Sequence, residues 1–346
     1  MRLNYSKYSW KGESSVPQEV VVITGASAGV GRATAHAFAK RQASIGLLAR
    51  DSERLERTRA EVVALGGRAL AHPTDVADAE QVAAAAAHVE RALGPIDIWV
   101  NNAMTTIFSP VEKITPAEFK RATEVTYLGT VYGTMAALSS MRPRNHGTIV
   151  QVGSALAYRA IPLQAPYCGA KHAIRGFTDS LRTELRHERS QVHLTMVQLP
   201  ALNTPQFNWC KAKLPRHPQP VPPIFQPEVA AEGIVWASHH KRREISIGAP
   251  VVAIILANKI APGLVDRYLA RTGYQSQQMT EPIDPARPNN LFSPVPQDYG
   301  AHGVFDSRAQ ESSLQLWATT HHLGAVGNAV AALTGTVHAL LALFRL

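Results

Sequence analysis

The 346 residues carry 35 Lys and Arg against 26 Asp and Glu, a formal net charge of +9, and 45% of them are hydrophobic. That balance excludes a largely disordered chain, and two cysteines, Cys168 and Cys210, exclude a disulfide framework and favour a reducing, cytoplasmic setting. The positive charge is scattered, with short clusters only around Lys211 and Lys213 and at Lys241 to Arg243, so it reads as a solvated face or an attraction for anions, with no nucleic-acid surface.

Residues 1–18 form an N-terminal extension with Tyr5, Tyr8 and Trp10 but without the apolar centre of a secretory signal. Val20 to Ile23 then has the β-branched character of a buried parallel strand. It breaks into Gly25-Ala26-Ser27-Ala28-Gly29-Val30-Gly31, and an Ala-rich helical run follows from Ala33 to Arg41. Strand, glycine turn and helix together make a seat for a pyrophosphate, because the first helical N–H groups have no partner of their own.

A second strand-like run, Ile45 to Ala49, ends on Arg50. An acidic residue there would accept the ribose hydroxyls of NAD, whereas Arg50 can grip the 2′-phosphate of NADP. Arg32 is a second candidate cation, and Asp51 as a ribose acceptor is the rival reading. Further runs at Ala69 to His72, Ile96 to Val100, Thr148 to Val152, His193 to Gln198 and Ile245 to Ile247 alternate with helical stretches such as Gln81 to Ala92 and Gly176 to Arg189. The alternation predicts an α/β fold, a doubly wound parallel sheet over residues 19–250, with ligand groups at the carboxyl ends of the strands.

Ser154 stands at the end of the fifth of these strands, and Tyr167 and Lys171, four apart, share a helical face. A tyrosine hydroxyl is a poor acid at neutral pH and needs a nearby positive charge to ionise. Serine to hold an oxygen, tyrosine to move a proton and lysine to tune it suit carbonyl reduction. Cys168 beside Tyr167 lacks the base expected of a nucleophile and reads as a small buried residue.

With Thr24-Gly25-x-x-x-Gly29-x-Gly31, Asp75-Val76, Asn101-Asn102-Ala103, Ser154, Tyr167-x-x-x-Lys171 and Pro200 with Thr204 in this order, the chain resembles the short-chain dehydrogenase/reductase family from about Val20 to Gly248. The resemblance implies a Rossmann fold and a homo-oligomeric oxidoreductase without a metal. It would use NADP(H), with NAD(H) as the alternative, on a small carbonyl or alcohol substrate. It makes Tyr167 the general acid or base, Ser154 the residue that orients the reacting oxygen, and Lys171 the group that lowers the Tyr167 pKa and holds the nicotinamide ribose. Gly25, Ser27, Gly29, Val30, Gly31, Arg50, Val76, Asn102, Ala103 and Pro200 would line the cofactor, with Asp75 at the adenine and Thr204 at the carboxamide. The family's fourth catalytic residue is Asn, and Thr126 stands in its place. Met104 and Ala201 replace two glycines, and Met104 would narrow the pocket.

The Pro-rich stretch 205–228 reads as a lid, its prolines resisting regular helix or sheet and Phe207, Trp209 and Phe225 serving as apolar walls. With Met104, Tyr158, Ile161 and Leu163 these favour an apolar or ring-containing substrate. Residues 251–346 are a C-terminal, mainly helical extension. It is helical from Val251 to Arg271, with a break at Pro262-Gly263, and Glu281 to Gly303 reads as a linker or extended arm. Last comes an uncharged run, Leu323 to Phe344, with Gly327, Ala331, Gly335 and Ala339 at spacings of four. It is near the length of a bilayer span, but Asn328 and His338 favour a docked helix over a membrane anchor. Two rival functions remain: a nucleotide-binding sensor or scaffold that has lost turnover, motivated by Thr126, and a membrane-tethered reductase of lipid-like ketones.

Overall fold

The computed structural model describes residues 18–321, so the readings of the N-terminal segment and of the apolar tail lie outside the described residues. Seven parallel strands form the centre: β1 Val20–Thr24, β2 Ser44–Ala49, β3 Arg68–Pro73, β4 Ile98–Asn101, β5 Thr148–Val152, β6 His193–Gln198 and β7 Glu244–Ser246. Their spatial order is β7-β6-β5-β4-β1-β2-β3, which puts the reversal of strand order between β1 and β4. In doubly wound sheets ligands bind at that crevice.

Every residue of β1 is buried, because helices cover both sides. On one side Val21, Ile23, Ile45 and Leu47 meet Phe38 of α1 (Gly29–Ala39) and Val229 and Ile234 of α2 (Pro227–His239). On the other, Val20, Val22 and Trp99 meet Val89 of the helix Ala79–Leu93, Met141 of the helix Gly129–Arg144 and Leu185 of the helix Ala165–His187. The Tyr-Lys stretch and the Leu-rich stretch after it are therefore one helix of 23 residues.

The extension departs from the Rossmann core but does not leave it. As expected from Pro262, its helical part divides into Ala249–Ile260 and Pro262–Thr272, with the proline in the first turn of the second helix, where its missing N–H costs nothing. The 205–228 stretch was expected to resist regular structure, yet it is stitched down by short strands. Lys211–Ala212 pairs with Ile107–Phe108, Arg216–Pro218 pairs with Gln278–Pro282, and Ile224–Phe225 pairs with both Ala201–Leu202 and Ala309–Gln310. Pairs of two or three residues leave room for prolines between them. Phe207, Cys210, Leu214 and Phe305 then pack with Phe108 and Leu163 into a small second core over the carboxyl ends of the strands. Leu163 belongs to that core rather than to the substrate walls. Among the described residues no helix is long and apolar enough to cross a membrane.

Candidate active site

The turn after β1 is shaped by what its glycines lack. Gly25 and Gly29 adopt φ of +68° and +54°, and a Cβ on Gly31 would lie 2.1 Å from the Gly25 carbonyl oxygen. The turn is fastened from behind by Thr24, the first residue of the motif, to which sequence reasoning assigned no role: its hydroxyl accepts the backbone N–H groups of Asn102 and Ala103, each at 3.0 Å. The Asn102 amide donates to the Thr24 carbonyl at 2.9 Å. Asn102 thus works by holding the glycine turn to the end of β4 while also lining the cleft.

A single cleft of about 1020 Å³ runs across the carboxyl ends of the strands. Gly25, Ser27, Gly29, Val30, Arg50, Asp75, Val76, Asn102, Ala103, Pro200 and Thr204 line it, as do Ser154, Tyr167 and Lys171. Gly31 sits beneath its floor, pressed against Gly25. The glycine turn at the head of α1 and the volume of the cleft, which lies at the switch point of the sheet, fit a dinucleotide.

At the adenine end Arg50 and Arg54 both face the cleft. Asp75 pairs with Arg121 at 2.5 Å. Arg32, the second candidate for a phosphate, lies outside: it is 4% exposed and bonded to Glu61 at 2.5 Å and Asp298 at 2.7 Å. Asp51 caps the helix Ser52–Ala64, accepting the Arg54 N–H at 2.8 Å with one oxygen, and its other oxygen lies 3.3 Å from the Arg54 guanidinium. A ribose would have to compete with both contacts, which weakens the NAD reading. Arg54 in turn lies 5.3 Å from the centre of the Trp209 ring, so Trp209 belongs to the adenosine half rather than to the substrate pocket.

The middle of the cleft holds the catalytic candidates. Ser154 leaves the sheet in extended conformation, its hydroxyl accepting the Leu156 N–H at 3.1 Å while its own N–H donates to Gln198 Oε1 at 2.7 Å. Gln198 is a buried positioning residue with no motif to mark it. Lys171 is 3% exposed, donates to the Val152 carbonyl at 2.6 Å and stands 5.5 Å from the centre of the Tyr167 ring. Burial pushes its ammonium down to about 8. Burial also pushes the Tyr167 hydroxyl well above its ordinary value, with Ser154 pulling the other way. Lys171 was expected to lower the Tyr167 pKa. Tyr167 is protonated at neutral pH, as an ordinary tyrosine is, and its burial reinforces that state, the one a proton donor needs.

Thr126, at the position of the family's Asn, does not approach Lys171 through its hydroxyl. It sits in a π-helical turn, Glu124–Leu128, fully buried, where its hydroxyl donates to the Thr105 carbonyl at 3.0 Å and accepts the Thr105 N–H at 3.1 Å. Its only proton is thereby committed. Through these two bonds Thr126 ties down the backbone after β4. Replacing it by Val strands two buried backbone groups, so we expect Thr126→Val to cost about 1–3 kcal/mol of stability and to leave the pH–rate profile where it was. Denaturant unfolding and a pH series read the two effects separately, and a shifted profile at unchanged stability would return Thr126 to the relay.

Beyond Tyr167 the lining is mainly apolar, with Gln164, Gln219, Ser276 and Gln277 among it. Met104, Ile161, Phe207 and Phe225 line the cleft as expected, and Val221, Ile254 and Leu269 join them, the last two from the C-terminal extension. Tyr158 is not among them: its hydroxyl donates to the Glu244 carboxylate at 2.7 Å and the Arg175 guanidinium covers its ring at 4.0 Å, on the far side of the short turn after Ser154. Cys168 is a buried thiol that burial pushes up to about 11, so it is inert at neutral pH.

A parallel sheet with its glycine turn, Ser-Tyr-Lys group and cleft at the switch point defines a dinucleotide-dependent oxidoreductase. The family model for short chain dehydrogenases matches residues 19–213, and the chain belongs to that family. It is 33% identical to an uncharacterized oxidoreductase, YxnA, of Bacillus subtilis over 79% of this chain and 78% of the relative. It is 30% identical to estradiol 17-beta-dehydrogenase 11 of Pongo abelii over 75% of this chain and 84% of the relative. A solved alcohol dehydrogenase from the archaeon Thermococcus sibiricus, complexed with 5-hydroxy-NADP, superposes with a TM-score of 0.59 at 27% identity, covering 66% of this chain and 96% of that one. The protein is an NAD(P)-dependent oxidoreductase that interconverts alcohols and carbonyls.

Proposed function

We propose that this enzyme is an NADPH-dependent reductase of apolar or ring-containing carbonyl compounds, running in reverse as an alcohol dehydrogenase. The observation that carries the reading is the polarity of the cleft, with two arginines, Arg50 and Arg54, at one end, Tyr167 in the middle and, at the other, a mainly apolar chamber in which Gln164, Gln219, Ser276 and Gln277 are the polar exceptions. Relatives named for estradiol and structural neighbours titled as complexes with NADP support the substrate class and the cofactor respectively.

Nicotinamide bound along the cleft would supply the hydride. The protein's share is placement: Ser154 and Tyr167 hold the substrate oxygen from two sides, and Tyr167 delivers the proton as the oxygen gains charge. Lys171 holds the nicotinamide ribose and steadies the tyrosinate left behind. The buried Thr105 and Thr126 pair keeps the backbone after β4 from drifting into the substrate's space. Monitoring NADPH and NADH oxidation across aldehydes, quinones and ketones of increasing apolar size tests the proposal. Preference for small polar aldehydes, or for NADH, would overturn it.

The pH dependence follows from Lys171. Below about pH 8 its ammonium is charged, and above that it becomes neutral and can no longer attract the ribose oxygens or the developing oxyanion. Since kcat/KM for NADPH reports groups of the cofactor-free enzyme, it should fall as pH rises through about 8, before tyrosine itself ionises. A profile flat from about pH 7 to about pH 10 would rule out titration of Lys171 in this range.

A further inference from the structure

The segment after the strand Gln278–Pro282 reads in sequence as a linker, yet it crosses the adenosine half of the cleft and is tied on both banks. On the lid side, the Asn290 N–H donates to the Trp209 carbonyl at 2.9 Å, and the Arg287 guanidinium donates to the carbonyls of Phe207, Asn208 and Cys210 at 2.6–2.9 Å. On the glycine-turn side, the Gly29 N–H donates to the Gly300 carbonyl at 3.1 Å, and Asp298 pairs with the buried Arg32 at 2.7 Å. Between the banks, the carbonyls of Asn290 and Phe292 accept from Arg50 at 2.5 and 2.9 Å.

We propose that residues 287–300 are a strap that closes over the adenosine of the bound cofactor, aims Arg50 at its 2′-phosphate and sets the rate of its release. The strap roofs the cleft without filling it: Asn290 and Pro294 line the same cavity as Gly25 and Arg50. Of the five N–H donors of Arg50, two go to the strap's carbonyls, which leaves three for a phosphate. Leu291, fully buried against Ile107 and Ala122, pins the strap's middle. A dinucleotide lying under it cannot leave through the roof until the strap lifts. The matched family model ends at residue 213, so the strap lies outside the residues it matches.

The test uses full-length protein with Asp298→Asn, which weakens the glycine-turn tie, and Arg287→Met, which removes the lid tie. Stopped-flow dissociation of NADPH should accelerate about tenfold or more in each, while the hydride step in a single turnover stays within about twofold of wild type. In the wild type, hydrogen exchange at the Gly29 and Asn290 amides should slow by at least about tenfold on saturation with NADPH. This second measurement decides the matter should either variant fold poorly. Unchanged dissociation in both variants, or exchange at these two amides indifferent to cofactor, would overturn the strap. The proposal rests on the NADP(H) reading of the cleft, and NADH is run in parallel. A misassigned phosphate site shows in the wild-type affinities alone, whereas a misassigned strap shows in the variants' release rates with whichever cofactor binds.

Discussion

Tyr167→Phe should lower turnover at least about a hundredfold while leaving NADPH affinity within about threefold of wild type, since general acids of this kind contribute roughly 10²–10⁴ in rate. The ring stays, so the packing beside Lys171 and the ribose site are preserved. What goes is the Tyr167 hydroxyl, which is protonated at neutral pH and lies beside Ser154. Ser154→Ala should be milder than Tyr167→Phe, because it removes a bond to the oxygen and no proton. Its backbone N–H to Gln198 remains, so the site should keep its shape. Steady-state kinetics with fluorescence titration of NADPH separates the two quantities, and near-normal turnover in Tyr167→Phe would remove this residue from the proton transfer.

The core of this fold was legible because its physics is repetitive. A strand buried on both faces has to be apolar at every position, and Val20 to Ile23 announces itself; a glycine whose Cβ would strike a carbonyl has to stay glycine, and Gly31 does. The misplacements share a different cause. Tyr158 lies four residues beyond Ser154, close enough in sequence to suggest the pocket, but the short turn between them directs its hydroxyl to Glu244, 86 residues further on. Thr126 was visible as a departure from the family, yet its partner, Thr105, is 21 residues away and engages it through main-chain atoms. Arg32 has the right position for a phosphate ligand, but Asp298, 266 residues away in the chain, pairs with it.

The strap is the sharpest case. Its composition of Pro, Asn and Asp is that of a linker, and three of its ties use the carbonyls of Asn290, Phe292 and Gly300, groups that every residue carries. No side-chain pattern can mark such a contact. The sequence signal that was available is indirect: Leu291 and Val295 are apolar residues in a polar run, and both are buried. An extended arm with apolar residues at such a spacing has something to lie on.

Arg50→Ala is the remaining large effect, and its two cofactors report different things. NADPH should lose about 1.5–3 kcal/mol of binding, roughly ten- to a hundredfold in Kd, because charge-assisted bonds to the 2′-phosphate disappear. NADH has no such phosphate, so any loss it suffers measures what Arg50 does for the strap through the carbonyls of Asn290 and Phe292. The difference between the losses isolates the phosphate. Arg54 stays in the variant, held by Asp51 and stacked on Trp209, so some preference for NADPH should persist. Arg50→Lys should recover only part of the gap, since an ammonium keeps the charge but cannot reach two carbonyls and a phosphate from one planar fork. Titration of both cofactors against wild type and the two variants decides it. Equal losses of NADPH and NADH would mean that Arg50 serves the strap alone and that the phosphate is held elsewhere.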